Sequence, residues 1–307
     1  GYWLEVLLKN KLRKIKPDIF VTGDTYMPSK LDIPSIIVSH DLAFIHYPKM
    51  QNYFDNKFYN YFFPIYHKKA TKIVAVSEFT KQDIVDKYNI TKDKIEVIHN
   101  AANNHFYPVS SEQKLETRTN LTNGKPYFSY LGSIHPRKNL VNLIKGFDIF
   151  KKKTGSEIFL AIIGRPAWKT EEFYITLDNS PYKSDIITQQ VKREDLPKII
   201  GSSEALFYVS FFEGFGIPIL EGFEANVPVV TSNSSSMPEV AGDAAILVDP
   251  HSPEEIAAAM EKIINDKNLT KSLVEKGKER LKIFNWDTSA DKMYQVFQEV
   301  YSSKYNN

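Results

Sequence analysis

Ten short runs of apolar, largely β-branched residues recur along the chain, each closed by small or polar residues. Four lie in the first third: DIFVTG (18–23), PSIIVSH (34–40), KIVAVS (72–77) and KIEVIHN (94–100). Six follow: YFSYLG (127–132), IFLAIIG (158–164), DIITQQV (185–191), ALFYVS (205–210), PVVTSN (228–233) and AAILVD (244–249). The runs are nearly continuous in apolar residues rather than alternating, as in strands buried on both faces. Helical patterns separate most of them, so the chain predicts an α/β fold with mostly parallel sheets.

Two helix starts are marked. Ser252-Pro253-Glu254-Glu255 reads as a capping box with proline at the first helical position, and Ser236-Met237-Pro238-Glu239 has the same form. Residues 53–66 (YFDNKFYNYFFPIY) bring Phe54, Phe58, Tyr61, Phe62 and Ile65 onto one helix face. This predicts a core-facing helix kinked at Pro64; an acceptor groove or lipid-facing surface is the sharper reading of the same stripe. Near the end, Asp287 or Thr288 caps a last helix whose stripe is Met293, Val296, Phe297 and Val300. The polar stretch 110–125 shows no apolar periodicity and reads as a linker. The predicted division is a partial N-terminal Rossmann-like domain over 1–110, a linker over 111–125, a complete Rossmann-like domain over 126–285, and a helix over 286–307 packing back on the first domain.

Composition narrows the class. The 307 residues, 42% hydrophobic, suffice for two cores. No apolar run approaches the ~18 residues that span a bilayer, and residues 1–17, interrupted by five Lys and Arg, predict no signal peptide. The absence of cysteine excludes disulfides and thiolate metal sites and fits a reducing cytoplasm. A net charge of +2 does not suggest a nucleic-acid partner. Residues 1–120 hold 17 Lys and Arg against 13 Asp and Glu. That excess suits peripheral contact with anionic headgroups at the inner membrane surface; a solvated, solubilising surface is the plainer reading.

Open parallel sheets bind ligands at the carboxyl ends of their strands. Polar residues gather there: His40-Asp41, Ser77-Glu78, His99-Asn100 and the stretch GSIHPRKN (132–139). Arg137 and Lys138 precede the helical pattern NLVNLIKGFDIF, at an end where free N–H groups and the dipole favour anions. Arginine adds a two-pronged grip on phosphate. A diphosphate is the natural ligand; a solvated basic pair is the plainer reading.

The stretch EGFGIPILE (213–221) follows the run 205–210. Gly214 and Gly216 permit a tight turn and close approach of a ligand, and Pro218 suits a first helical turn, so a helix begins near Ile217. Glu213 then lies before the helix and Glu221 about one turn into it. The amides of Phe215, Gly216 and Ile217 are donors at a positive helix end. Two carboxylates beside an anion site make sense as acceptors for hydroxyls, and a nucleotide sugar carries hydroxyls on both sides of its diphosphate. A capping carboxylate plus an unrelated surface glutamate is the plainer reading.

These motifs together resemble the retaining glycosyltransferases of family 4 (glycosyl transferases group 1), whose GT-B fold is two facing Rossmann-like domains. The family's mark is Glu, seven residues, then Glu, with GFG and a proline inside, and Glu213 and Glu221 match it. The similarity extends through VPVVTSNSSSMPEVAGDAAILVDP (227–250), YLGSIHPRKNL (130–140), IVAVSEFTKQDI (73–84), VIHNAANNHFYP (97–108) and IVSHDLAF (37–44). It runs from about residue 18 to the end, in the family's order.

The resemblance implies roles. Arg137 and Lys138, with Gly132, would bind the donor diphosphate. Glu213 would hold the transferred sugar near the reaction centre, and Glu221 the ribose. The backbone at Phe215, Gly216 and Ile217 would bind sugar and phosphate oxygens. His40 matches the active-site histidine that contacts the donor sugar from across the cleft. The implied reaction is metal-independent, cofactor-free, retaining transfer of a hexose, with GDP-mannose the first expectation because of the PRKN form, to a glycan or lipid-linked acceptor in surface polysaccharide assembly. The sequence adds no case for a metal site, having no Asp-x-Asp pair.

The departures are specific. The family's first strand and glycine-rich loop have no counterpart before residue 18, so the chain reads as N-terminally shortened. Glu224-Ala225-Asn226 stands where many members have Ala-Cys-Gly, and Asn226 can keep the left-handed turn. Gln189-Gln190-Val191 replaces Gly-Tyr-Val near the base, which leaves base preference open. A sugar-nucleotide epimerase and a non-catalytic nucleotide-sugar or glycan-binding partner stay open as alternatives.

Overall fold

A computed structural model describes residues 2–305, and each of the ten apolar runs contains a strand. In the first unit, β1 (Phe20–Thr22), β2 (Ser35–Ser39), β3 (Lys72–Ala75) and β4 (Ile95–Val97) lie side by side in that order, all parallel. Ile36, Ile37, Ile73, Val74 and Ala75 are buried, each fully buried isoleucine or valine stabilising the fold by about 1.5–3 kcal/mol. One sheet face meets Leu4, Leu12, Phe63 and Tyr66. Leu4 and Leu12, with the partly buried Leu8, form an i, i+4, i+8 stripe on the helical segments Trp3–Leu8 and Lys9–Ile15. On the other face Ile36, Val74 and Ile98 pack against Val296 and Val300 of the helix Trp286–Tyr305, with Met293 and Phe297 at the margin. Lys72 Nζ pairs with Glu299 at 2.7 Å and Ser289 Oγ donates to the His99 carbonyl at 2.7 Å.

The aromatic helix forms over Tyr53–Lys69 with Pro64 inside it, but of the predicted face only Phe58 and Phe62 pack against the core, and those only partly buried. Phe54 and Tyr61 are 79% and 66% exposed. Phe63, Tyr66 and His67 face the core, where Phe63 meets Phe44 and Tyr26 at ring separations of 5.3 and 5.4 Å. In so aromatic a segment both faces are apolar, and the neighbours decide between them.

The second unit holds β5 (Tyr127–Leu131), β6 (Phe159–Ile163), β7 (Ile186–Gln189), β8 (Ala205–Tyr208), β9 (Val229–Ser232) and β10 (Ala245–Val248). The six form one parallel sheet ordered β10-β9-β8-β5-β6-β7. Phe128, Phe147, Phe150 and Phe207 are almost wholly buried in its core.

The predicted linker is not a linker. Residues Ser111–Thr122 form an α-helix of the second unit, and the units divide at Asn100 and Ala101 rather than at 110. Ser110 Oγ accepts the Gln113 N–H at 3.1 Å while Gln113 Oε1 accepts the Ser110 N–H at 3.0 Å, a complete capping box. The helix is held by Arg118, which donates to the Ser202 carbonyl and to Glu204, and not by an apolar stripe. Residues Trp286–Asn307 group with the first unit. Among the described residues no helix is long and apolar enough to cross a membrane.

Candidate active site

Strand order decides where a ligand sits in the second unit. From β5 the chain builds outward through β6 to β7, then crosses back to lay β8 on the other side of β5 and builds through β9 to β10. The order reverses between β5 and β8, and the crevice beyond their carboxyl ends is the ligand position in such sheets. Residues 132–139 and 209–216 wall it.

Part of this wall is bare backbone. Gly132 has φ +149°, and a Cβ there would lie 2.8 Å from the Tyr130 hydroxyl oxygen; a Cβ on Gly164 would lie 1.7 Å from the Gly132 carbonyl oxygen. Neither position admits a side chain. Beside them a cleft of about 390 Å³ is lined by Gly132, Ser133, Gly164, Arg165, Gln190 and Val191, among others.

The basic pair is set by the turn that follows. His135 Nδ1 accepts the Arg137 N–H at 3.1 Å, starting a 3-10 turn over Pro136–Lys138. Asn139 adopts the left-handed conformation at φ 60°, which asparagine tolerates. Its buried Nδ2 donates to the carbonyls of Val209 at 2.9 Å and Pro250 at 2.7 Å, tying the turn to the chain beyond β8 and β10. The helix Leu140–Thr154 begins only then.

Arg137, Lys138 and Glu213 form one ion cluster. Arg137 Nη1 donates to Glu213 Oε2 at 2.7 Å, and Lys138 Nζ donates to Glu213 Oε1 at 2.7 Å and to the Tyr208 hydroxyl at 2.8 Å. The side chains of Arg137, Lys138 and Glu213 are 17%, 14% and 9% exposed. Burial alone would raise the Glu213 pKa; Lys138 and Arg137 override it and hold the carboxyl well below the usual range. Burial pushes the Tyr208 and Tyr130 hydroxyls far up, so both stay neutral. Two cations on one carboxylate leave a positive charge at the crevice.

Serines brace the glutamate's loop. Ser232 Oγ donates to the Ser210 carbonyl at 2.6 Å and Ser234 Oγ to that of Phe211 at 3.1 Å. Ser235 Oγ accepts the Glu213 N–H at 3.1 Å, and Ser236 Oγ reaches the carbonyls of Glu213 at 2.8 Å and Phe215 at 3.0 Å. Ser236 is therefore no capping residue: it sits in helical conformation without a side-chain cap bond and serves this loop instead. Ser252 does cap, accepting the Glu255 N–H at 3.1 Å, while the Glu255 carboxylate turns to the Asp249 N–H and leaves the box half closed.

Gly216, at φ 104°, leads into the helix Ile217–Glu224 with Pro218 in its first turn. The first N–H groups of such a helix lack intrahelical partners and favour an anion. The Phe215 ring is buried against Phe284, and its carbonyl accepts from Ser236. Glu221 is half-buried within this helix; burial first, then Glu224, raises its pKa to about 7, with Arg193 opposing. Asn226 takes φ 54°, keeping the turn.

His40 belongs to the first unit. It follows β2 directly, its ring is exposed, and Nε2 lies 2.9 Å from the Gly23 carbonyl just beyond β1. Gly132, Arg137, Lys138 and Glu213 thus converge within the second unit, and Phe215, Gly216 and Ile217 continue the same loop. Sequence reasoning missed Asn139, Tyr208 and the serine brace, whose partners come from strands far away in the chain.

Residues 111–280 match the sequence profile described as Glycosyl transferases group 1, and residues 1–105 match Glycosyltransferase Family 4. The chain belongs to the group 1 glycosyltransferases. It is 27% identical over 281 residues to O-antigen chain mannosyltransferase B of Escherichia coli, covering 90% of this chain and 73% of that protein. It is 26% identical to O-antigen chain mannosyltransferase RfbU of Salmonella typhimurium, over 86% and 69% of the two chains. A sucrose-phosphate synthase from Thermosynechococcus elongatus superposes with a TM-score of 0.80 at 16% identity, over 96% of this chain and 77% of that one. The Anabaena protein HepE, solved with UDP-glucose, gives 0.75 at 16% identity, over 87% and 72%. This glycosyltransferase therefore has the GT-B fold.

Proposed function

We propose that this glycosyltransferase moves a hexose, with retention and without a metal, from a nucleoside diphosphate sugar to a glycan or lipid-linked acceptor in surface polysaccharide assembly. GDP-mannose is the proposed donor, supported by the two O-antigen mannosyltransferases among its relatives. The observation that carries the reading is the ion cluster of Arg137, Lys138 and Glu213 at the switch point of the sheet.

In this reading a diphosphate competes with Glu213 for the two cations. The carboxylate then accepts from hydroxyls of the transferred sugar. Arg137, Lys138 and the amides of Phe215, Gly216 and Ile217 stabilise charge developing on the leaving diphosphate. The bare backbone at Gly132 admits its oxygens, Glu221 takes the ribose hydroxyls, and the cleft at Gln190 and Val191 takes the base. The acceptor oxygen bonds the anomeric carbon on the face from which the phosphate oxygen departs, and that oxygen takes the acceptor's proton. His40 contacts the donor sugar.

Calorimetric titration with GDP, UDP and ADP, each with and without its sugar, on this chain and on Glu221→Ala tests the reading. Micromolar binding of one nucleotide, lost in the variant, is expected, with a new glycosidic bond seen by mass and NMR. Donor isomerised without transfer indicates an epimerase, and binding without turnover a non-catalytic protein. Peripheral membrane contact is proposed through the helical segment 3–15, where Trp3, Leu7 and Ile15 are exposed among Lys11, Arg13 and Lys14. Salt-sensitive sedimentation with phosphatidylglycerol vesicles is the expected signature.

A further inference from the structure

Trp168 lies in GRPAWKT, the loop after β6, and is 51% exposed. This half-exposed tryptophan, mounted beside the turn that carries Arg137 and Lys138, keeps in water a large apolar surface that folding would otherwise bury. Its mounting is rigid. Ile134 and Pro166 bridge in parallel, the Ile134 N–H donates to the Arg165 carbonyl at 2.9 Å, and the Ala167 N–H donates to the Ile134 carbonyl at 3.0 Å. The indole lies edge-on to the His135 imidazole, centroids 4.7 Å apart at 76°. That imidazole, 7% exposed, accepts the Arg137 N–H. Lys169, directly after the tryptophan, has φ 57°, a backbone angle that non-glycine residues rarely adopt. The indole is thus coupled through one buried ring to the turn that carries Arg137 and Lys138.

We propose that Trp168 is a stacking platform for the C–H face of a pyranose ring, and so a specificity-determining residue of the transferase; the proposal rests on the transferase reading above. The alternative occupant, a nucleobase, fits less well. From this loop Gly164 and Arg165 line the 390 Å³ cleft, and Trp168 is not part of its wall. What remains for an apolar ring beside a phosphate grip is the sugar on one side of the reacting bond or the other. Tryptophan suits it, with a broad apolar face and only two side-chain torsions to fix.

The test isolates this indole. Trp3 and Trp286, the other two tryptophans, are replaced by phenylalanine, and emission is followed during titration with GDP, GDP-mannose, UDP, UDP-glucose and mannotriose. A saturable shift with a sugar nucleotide, absent with its bare nucleotide, supports a platform for the donor sugar; a shift with mannotriose supports one for the acceptor. An equal shift with the bare nucleotide overturns the proposal, as does silence with every probe. In kinetics, Trp168→Ala is expected to lower kcat/KM for transfer at least tenfold while the calorimetric Kd for the bare nucleotide changes less than twofold, and Trp168→Phe to recover most of the loss. Nucleotide binding weakened as much as transfer would mean that the indole only props the Arg137 turn, which also overturns it. Failure here with nucleotide binding intact leaves the transferase reading standing; loss of all nucleotide binding in the parent chain would remove both.

Discussion

Glu213 divides its two oxygens between Arg137 and Lys138, so deleting the carboxylate strands two cations in a largely buried place. Glu213→Ala is expected to lower the unfolding free energy by about 3–5 kcal/mol. Added GDP should restore part of that, since a diphosphate supplies the missing negative charge. The check is calorimetric melting with and without GDP: a ligand-induced rise no larger in the variant than in the parent would sink the idea. Glu213→Gln keeps the shape but not the charge, so it is expected to remain folded, to melt below the parent and to slow transfer by roughly 100-fold or more. Glu221 behaves in the opposite sense. Its folded pKa of about 7 lies above the unfolded value near 4.5, so between these the folded chain holds more protons and this group's contribution to stability falls as pH rises. Glu221→Gln removes that loss. Relative to the parent it is expected to gain about 2 kcal/mol between pH 5 and pH 8, after a discount for partial exposure. Urea unfolding at both pH values measures it, and an unchanged gap would mean that the carboxylate is well solvated. The spacing of these two glutamates was readable in the chain; their unlike environments were not, because the cations on Glu213 lie about 75 residues upstream and the burial of Glu221 is set by the tertiary fold.

At the scale of elements, what could be read depended on how each element is held. Strands buried on both faces announce themselves, because continuous β-branched runs have few other uses. The helix Ser111–Thr122 stayed hidden because its attachment is ionic, through Arg118 to Ser202 and Glu204, with Leu121 only partly buried. The one legible sign was Ser110 three residues before Gln113. Ser110→Ala is expected to cost about 1 kcal/mol, measured by equilibrium unfolding. The helix Tyr53–Lys69 failed differently: its existence was plain, but its inward face is chosen by Phe44 and Tyr26. The helix start at Ser236 was legible, since Met237–Ala241 is helical, but the Ser236 hydroxyl serves the loop after β8 instead of capping that helix. Ser236→Ala is expected to reduce transfer about tenfold while costing only about 1 kcal/mol of stability. Loss in equal proportion would assign the hydroxyl to folding alone.

At the scale of the whole molecule, the path of the chain matters more than any single contact. The first unit comprises residues 1–100 and 286–307, and the second lies uninterrupted between them. Ile36, Val74 and Ile98 are covered by Val296 and Val300, supplied from the far end of the sequence. Val300→Asp is therefore expected to loosen β1 to β4, raising their amide hydrogen exchange, while β5 to β10 stay protected. A uniform rise in both units would show that they unfold as one. The helix's apolar stripe was readable and its return to the first domain was expected, but the residues it covers, some 200 positions upstream, lie beyond the reach of local pattern. The same path orders events during translation. At about 5–20 residues per second, residues 101–285 take roughly 10–40 s to emerge from the ribosome. Through that interval the nascent first unit holds a bare apolar sheet face while the second can complete itself. A cell making this glycosyltransferase must shield that face until its covering helix is synthesised, so a shortage of holding chaperones should strike newly made molecules long before it touches finished ones.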